Sequence, residues 1–212
     1  MHAQRSRAGA FALLLGAFAA AAAAEPVAFA VDAKASHVRI HLGRSGLFKF
    51  MGHEHHIEAP LTQGRVDVAE ADPALSKVTL RFASAALFVI PGSEPADDIP
   101  KVEARMRGEV LETAKHPEIS FTSTSVRIVG EAAAPRLKLV VAGTLALKGR
   151  NFPVLVPLEV VRHGEGLEAK GEIELNLRDL GIAPPSIAGV VKVQNRFRLE
   201  FEIRARAASG EP

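Results

Sequence analysis

The sequence predicts an all-β fold with one covering helix. From residue 25 onward, apolar and polar residues alternate along most segments, which is the pattern of strands with one buried face. Turn signals such as Gly164-Glu165-Gly166 separate these segments. One segment, residues 97–110, has helical spacing instead. Antiparallel strands of this kind bury their apolar faces either by closing into a barrel or by pairing two sheets.

The clearest strand runs from Val191 to Ala205, where only Asn195 interrupts the apolar row. It is long enough to bend and contribute to both ends of a barrel. The segment Lys148-Gly149-Arg150-Asn151 is typical of a hairpin turn. The alternation predicts eight or nine strands, several longer than the usual five or six residues, at residues 27–33, 36–43, 61–70, 75–89, 118–129, 136–147, 152–162, 166–178 and 189–206.

The one helix is predicted to begin near Asp97 or Asp98, either of which can cap it, with Pro100 in its first turn. Its apolar stripe consists of Ile99, Val102, Met106 and Val110. We expect this stripe to lie over an open end or a seam of the barrel. Whether the helix only completes the core or also acts as a gate is left open by the sequence.

The first 24 residues are predicted to be a signal peptide rather than part of the fold. Arg5 and Arg7 precede an apolar core at 8–20, and small residues at 22–24 form a cleavage site before Glu25. The core is too short to span a membrane, and no later run approaches the roughly 18 apolar residues that a span needs. We therefore expect a periplasmic or secreted protein with one domain, residues 25–212.

Charge and cysteine content exclude several classes of protein. Without the signal peptide the chain carries 24 Lys and Arg against 24 Asp and Glu, so its formal net charge is zero. A neutral chain without a basic block gives little reason to expect nucleic-acid binding. The chain has no Cys, which excludes disulfides, thiolate metal sites and Cys nucleophiles. The sequence leaves open whether it forms a homodimer.

No catalytic constellation stands out in the sequence. There is no Gly-x-Ser-x-Gly elbow, and the Ser/Thr row at 120–125 has the pattern of a strand surface. The acid pairs Asp97/Asp98 and Glu70/Asp72 lie beside prolines or in turn-like segments, where caps and solvated loops are ordinary. We therefore predict a protein that is not an enzyme and needs no cofactor.

A histidine-rich segment follows the second predicted strand. It reads Gly52-His53-Glu54-His55-His56, and imidazole with carboxylate suits Zn²⁺, Cu²⁺ or Ni²⁺. The helical zinc-protease motif is absent, because Ile57 stands where its second His would be. Two interpretations remain: an exported metal-binding protein using His53, His55 and His56, or a polar loop that orients a ligand.

The predicted interior is rich in Phe, Leu and Val and has almost no polar atoms. With eight strands, such a lining either fills the barrel or encloses one small ligand. The absence of Trp and Tyr favours an apolar wall suited to a hydrocarbon tail. Composition does not decide between a filled barrel that acts through its surface and a hollow one.

Four motifs, in order along the chain, resemble those of the YceI-like, lipocalin-like polyisoprenoid-binding family. The first is the Asp-x-x-x-Ser pattern of Asp32 and Ser36. The Gly-His-x-His segment at 52–55 is similar to one branch of that family. The other motifs are Lys115-His116-Pro117-Glu118-Ile119-Ser120-Phe121, Gly143-Thr144-Leu145-Ala146-Leu147-Lys148-Gly149 and Arg178-Asp179-Leu180-Gly181-Ile182.

The resemblance implies an extended eight-stranded antiparallel barrel, covered by a helix, with a cavity for a long isoprenoid chain such as a quinone tail or polyprenyl lipid. It favours the hollow interpretation and a periplasmic lipid carrier or scavenger. We expect His53 and His55 near the mouth of the cavity. The residues expected to line it are Phe48, Phe50, Leu80, Phe82, Phe121, Leu145, Phe197 and Phe201.

Overall fold

Among the residues that the structure describes, twelve antiparallel strands form one sheet. The computed structural model describes residues 25–45, 55–130, 135–187 and 191–208. The strands are β1 (Val27–Val31), β2 (His37–Ser45), β3 (His55–Glu58), β4 (Leu61–Val68), β5 (Lys77–Ala83), β6 (Phe88–Val89), β7 (Glu118–Ile128), β8 (Arg136–Leu147), β9 (Arg150–His163), β10 (Gly166–Asn176), β11 (Ser186–Ile187) and β12 (Val191–Ala207).

Eight of these strands close into a barrel, in the order β1, β4, β5, β7, β8, β9, β10 and β12. The barrel closes where β1 pairs with the end of β12, with Phe29 opposite Ala207 and Val31 opposite Ala205. Closure gives the first and the last of these eight strands a partner on both sides, which an open sheet cannot do. The predicted eight-stranded antiparallel barrel is confirmed.

The long strand β12 contributes to both ends of the wall, as its length predicts. Its last residues pair with β1, and Lys192–Glu202 pair with β2. Next to β2 come β3 and then the short β6, which lengthen the barrel at one end. A register shift between Val193 and Phe197 bends β12 around Asn195. Asn195 therefore interrupts the apolar row because it lies in a bulge.

The chain between β1 and β2 is a turn built by the Asp-x-x-x-Ser motif. Asp32 Oδ1 accepts hydrogen bonds from the backbone N–H groups of Lys34 and Ala35 at 3.0 and 3.1 Å. The buried hydroxyl of Ser36 accepts a 3.0 Å bond from the backbone N–H of Arg204. These bonds fix the point where β12 changes its partner from β1 to β2.

The predicted strand 75–89 is interrupted at residues 84–86. Ser84 is 1% exposed, and its hydroxyl donates a 2.6 Å hydrogen bond to the carbonyl of His116. Its backbone N–H donates to the carbonyl of Pro117 at 2.9 Å. These two bonds turn the chain away from the β5 ladder, so the prediction of one continuous strand was wrong here. The short strand β3 was not predicted, because its sequence carries three polar residues in four.

The predicted helix is present as α1 (Ile99–Arg105), which continues as a π-helical turn at Met106–Val110. The prediction that Asp98 can cap the helix was wrong, because this residue has helical backbone angles and makes no capping hydrogen bond. Its carboxylate instead accepts a 2.8 Å bond from Lys101 Nζ. Pro100 lies in the first turn, as predicted.

Two side chains fasten α1 to the bend between β5 and β6. Glu103 Oε1 accepts a 3.0 Å hydrogen bond from the backbone N–H of Val89, which is 2% exposed. Arg107 donates to the carbonyls of Ala85 and Leu87 at 3.0 and 3.2 Å. The helix is therefore held over the barrel end by hydrogen bonds as well as by its apolar stripe.

The predicted hairpin joins β8 to β9. Lys148 and Gly149 have φ angles of +51° and +70°, as a two-residue type I′ turn requires. Lys148 Nζ lies 2.8 Å from Glu112 Oε1, beyond the π-helical turn. Hydrogen bonds from Lys148 and Lys115 lower the pKa of Glu112 to about 2. Glu112 thus ties the end of the helical segment to the hairpin.

Candidate functional site: the barrel interior

The barrel interior contains two connected spaces. The helix-end lobe, about 240 Å³, lies under α1 and is lined by residues such as Met106, Leu147 and Leu177. The long lobe, about 480 Å³, extends toward the other end. The two lobes meet at a collar of five residues that line both of them: Val38, Phe82, Leu145, Leu175 and Leu199.

The helix-end lobe is the smaller and the better covered of the two. About half of its lining residues are buried, among them Met106, Leu147 and Phe197. The turn after β10 closes it from the side, because the backbone N–H of Ile182 bonds the carbonyl of Leu177 at 2.9 Å and folds the chain over the barrel end. This end is therefore more enclosed than the rest of the barrel.

The long lobe is loosely packed. Inward-facing side chains along β5, β7, β8, β9, β10 and β12 line it, and fewer than a quarter of them are buried. Leu80, Phe121 and Phe201 point into the barrel and yet are only half-buried. Their uncovered surface faces the lobe, so this part of the barrel is hollow.

Six of the predicted lining residues line these lobes. Phe82 and Leu145 belong to the collar, and Phe197 lines the helix-end lobe. Leu80, Phe121 and Phe201 line the long lobe. Their placement inside the barrel is observed; their contact with a ligand stays a prediction.

The remaining predicted residues are not placed. Phe48, Phe50 and His53 lie outside the described residues, and of His55 only the backbone, at the start of β3, is described. Their positions at a cavity or at its mouth stay predictions, as does the role of the Gly-His-x-His segment.

Apart from Leu145, sequence reasoning missed the aliphatic lining that β8 and β9 provide. Leu137 and Leu139 on β8, and Val154, Val156 and Leu158 on β9, all line the long lobe. Their two-residue spacing could have identified them. The alternate positions of β9 are also largely uncharged, however, so the sequence does not show which row faces inward.

Two histidines meet on the outer wall. His41 of β2 lies directly opposite His56 of β3, and their ring centroids are 4.8 Å apart in an edge-on arrangement. His41 Nε2 lies 3.3 Å from Glu200 Oε2, a distance that fits an ion pair. This nitrogen is buried and makes no hydrogen bond, because the angle at the contact with Glu200 is unsuitable. Among the described residues, no group of three His, Asp or Glu side chains is arranged to hold a metal ion. Metal binding through His53 stays untested.

Charged side chains lie on the outer wall and at the ends of the barrel. Lys170, between Glu168 and Glu202, has its pKa raised chiefly by its hydrogen bond to Glu168. At the far end of the long lobe, Arg162 pairs with Glu70. The lobes themselves therefore offer almost exclusively apolar contacts. In the part of the chain that the structure describes, no helix is long and apolar enough to cross a membrane.

The fold is similar to that of solved structures with little sequence identity. Burkholderia cenocepacia BcnA superposes with a TM-score of 0.62 at 16% identity, covering 82% of this chain and 98% of BcnA. A polyisoprenoid binding domain from Saccharophagus degradans gives a TM-score of 0.60 at 17% identity, covering 86% and 99%. At such identities these neighbours show a shared fold.

Relatives with higher identity align over shorter stretches. A UPF0312 protein of Pseudomonas savastanoi pv. phaseolicola is 30% identical over 123 residues, which are 54% of this chain and 57% of the relative. Protein YceI of Escherichia coli O157:H7 is 33% identical over 98 residues, which are 41% and 48%. The chain spans about half the length of these curated relatives.

The model of the YceI-like domain matches residues 29–205, from the first barrel strand to the last. The matched region contains both lobes and the covering helix. The motifs that build the β1–β2 turn, the bend at Ser84 and the turn after β10 fall within it as well. The chain belongs to the YceI-like domain family.

Proposed function

We propose that this protein binds one long apolar chain, an isoprenoid or another long-chain lipid, inside the long lobe. The observation that carries the proposal is the half-buried state of inward-facing Leu80, Phe121 and Phe201. A lobe of about 480 Å³ lies within the range of ligand sites, about 300–1,000 Å³.

An empty apolar lobe of this size costs stability. Side chains that face an unfilled apolar space forgo the dispersion contacts that a packed core would make. A bound hydrocarbon chain would recover part of this loss, which supports a filled state as the working form.

Binding in such a lobe depends on burial rather than on hydrogen bonds. Each buried CH₂ contributes about 0.8 kcal/mol, so each isoprene unit adds a few kcal/mol before ordering costs. An apolar lining of this kind discriminates weakly between chain lengths. The isoprenoid class is supported by the family resemblance and by the polyisoprenoid binding domain among the structural neighbours.

We place this binding protein outside the cytoplasm, as a carrier or scavenger, because residues 1–24 have the pattern of a signal peptide. We assign His53 and His55 to the mouth of the cavity, where an imidazole could donate to a head-group oxygen. The role is binding rather than catalysis.

The test is the mass of what co-purifies. Organic extraction of the protein purified from a membrane-containing lysate is expected to yield about one lipid per chain. Leu80→Trp fills part of the long lobe and is expected to lower that yield severalfold. Thr79→Trp, the adjacent outward position of β5, is the matched control and should leave the yield unchanged.

These variants also report on the site directly. The chain has no Trp, so the indole introduced by either substitution is the single indole fluorophore of that variant. The emission of the Leu80→Trp variant should shift when lipid is removed, whereas the emission of the Thr79→Trp variant should not. Wild-type protein that leaves such a lysate free of lipid, and that takes up no lipid afterwards, would contradict the proposed function.

A further inference from the structure

The barrel wall is not hydrogen-bonded all the way round. On one side, β9 pairs with β8 along its length, from Arg150 opposite Leu147 to Val161 opposite Arg136. On its other side, β9 pairs with β10 only over Glu159–His163, opposite Gly166–Lys170. All residues of both strands are described. From Gly171 to Asn176, β10 pairs only with β12. Gly171 still packs against β9, since a β-carbon there would lie 2.4 Å from the carbonyl oxygen of Pro157. The unpaired seam between the two strands therefore runs from Glu172 to Asn176.

Prolines explain why the ladder stops. Continuing the register would put Pro157 opposite Glu172, Leu155 opposite Glu174 and Pro153 opposite Asn176. Arg162 N–H points toward β8, where it bonds the carbonyl of Pro135, so the odd-numbered residues of β9 direct their backbone groups toward β10.

Two of the three residues that would bond across the seam are therefore prolines without an N–H. On β10, the backbone N–H of Leu177 bonds the carbonyl of Asn195 on β12. Because backbone groups alternate in direction along a strand, those of Glu172, Glu174 and Asn176 point the other way, toward β9. The gap is thus set by the sequence, and a ladder of the ordinary kind cannot close it.

The seam lies directly beside the long lobe. Val154 and Val156 on one lip, and Ile173 and Leu175 on the other, have side chains that line this lobe. These four side chains border both the seam and the lobe. A molecule passing between the strands at this level would therefore reach the hollow part of the barrel at once.

The outer surface of β9 beside the seam is apolar and suits contact with a hydrocarbon chain. Leu155 is 67% exposed and has exposed prolines on both sides, at 153 and 157. The residues opposite them on β8 are Thr144, Ala142 and Val140. None of these six side chains is charged, whereas the β10 lip carries Glu172 and Glu174, each 64% exposed.

We propose that the seam between Pro153–Pro157 and Glu172–Asn176 is a lateral portal through which the hydrocarbon chain of the ligand enters the long lobe. This inference rests on the proposed function. The alternative route, under α1, requires breaking the bonds that Glu103 and Arg107 make to the β5–β6 bend. Across the seam, no residue of β9 is paired with a residue of β10 in the ladder.

The experiment closes the seam covalently. The chain has no Cys, so Leu155→Cys with Glu174→Cys gives a unique pair across the seam, joined by a short bis-maleimide in lipid-free protein. The matched control is Leu155→Cys with Ala142→Cys, two residues already opposite each other in β8 and β9. Mass spectrometry confirms each bridge, and stopped-flow mixing with a fluorescent polyene fatty acid measures uptake.

Bridging the seam is expected to slow association and dissociation of the probe by at least about tenfold while leaving its Kd within about twofold. The bridged control should match the wild type in both rates. Saturable binding with an unchanged rate after seam bridging would overturn the portal and leave the proposed function standing. A wild-type protein without saturable binding would overturn both.

Discussion

The two lobes of the barrel are built from the same kinds of residue and yet differ in packing. In the helix-end lobe, Met106, Leu147 and Leu180 are buried, each about 7% exposed or less. In the long lobe, Leu80, Leu139 and Phe201 face the same interior but are only half-buried. Residue type therefore does not determine which end of a barrel is better covered.

The difference comes from what covers each end. The stripe of α1 and the turn containing Leu180 and Ile182 project side chains into the helix-end lobe. Apart from its two ends, the long lobe is surrounded by strand side chains alone, and across a barrel of eight strands these need not meet. A helix and a turn thus narrow and cover one end of a hollow barrel.

The largest expected contrast is between one leucine at each end. Leu180→Ala should lower the free energy of unfolding by about 2–5 kcal/mol, because it opens a cavity in packed surroundings. Leu139→Ala removes a side chain that already faces open space and should cost about 1 kcal/mol. Urea unfolding of lipid-free protein, followed by circular dichroism, measures both values. Equal losses at the two positions would show that the long lobe is packed in solution.

A smaller effect is expected where α1 is fastened. Glu103→Ala leaves the buried N–H of Val89 without its acceptor, which should cost about 1–3 kcal/mol. Glu103→Gln keeps an acceptor oxygen at the same place and is the control. Urea unfolding again measures both variants. If Ala and Gln destabilise the protein equally, the hydrogen bond to Val89 does not hold the helix.

The smallest effect concerns the exposed tie between the helical segment and the hairpin. The folded-state pKa of Glu112 is about 2, below its ordinary value of 4.5, because Lys148 and Lys115 bond its carboxylate. Its contribution to stability is therefore complete above pH 4.5 and is lost as the pH falls toward 2. Salt should weaken it, since these groups are solvent-accessible.

Glu112→Gln should accordingly lower the Tm at pH 7 and leave it unchanged near pH 2. Lys148→Met should have the same effect, because it removes the nearest cation. Melting curves at the two pH values test this expectation. A difference in Tm that persists at the acidic pH would assign the role of Glu112 to packing rather than to charge.

Much of the fold could be predicted from alternation. The two-residue rhythm predicts the long strands β7 to β10 and β12, because one polar and one apolar face leave few alternatives. Ser84 and Asp98 show where local pattern fails. The bend at Ser84 depends on the distant carbonyl of His116, and the carboxylate of Asp98 is engaged by Lys101 instead of the helix N-terminus.

The candidate site was only partly predictable. Phe82, Phe121 and Phe201 could be assigned to the interior from parity on their strands. The open space between them could not, since whether side chains meet across a barrel depends on its diameter and covering, which no local pattern encodes. The seam was missed for a similar reason: Pro153 and Pro157 are visible in the sequence, but their consequence depends on which strand lies beside β9.

The pairing of β1 with β12 joins the first strand of the barrel to the last. Pairing two strands that lie so far apart in the sequence costs chain entropy before their hydrogen bonds and apolar contacts form. Topologies with such distant contacts fold slowly. The interior is an enclosed space only when this pairing is made. Under the proposed function, a ligand taken up by the closed barrel needs an opening at an end or in the wall.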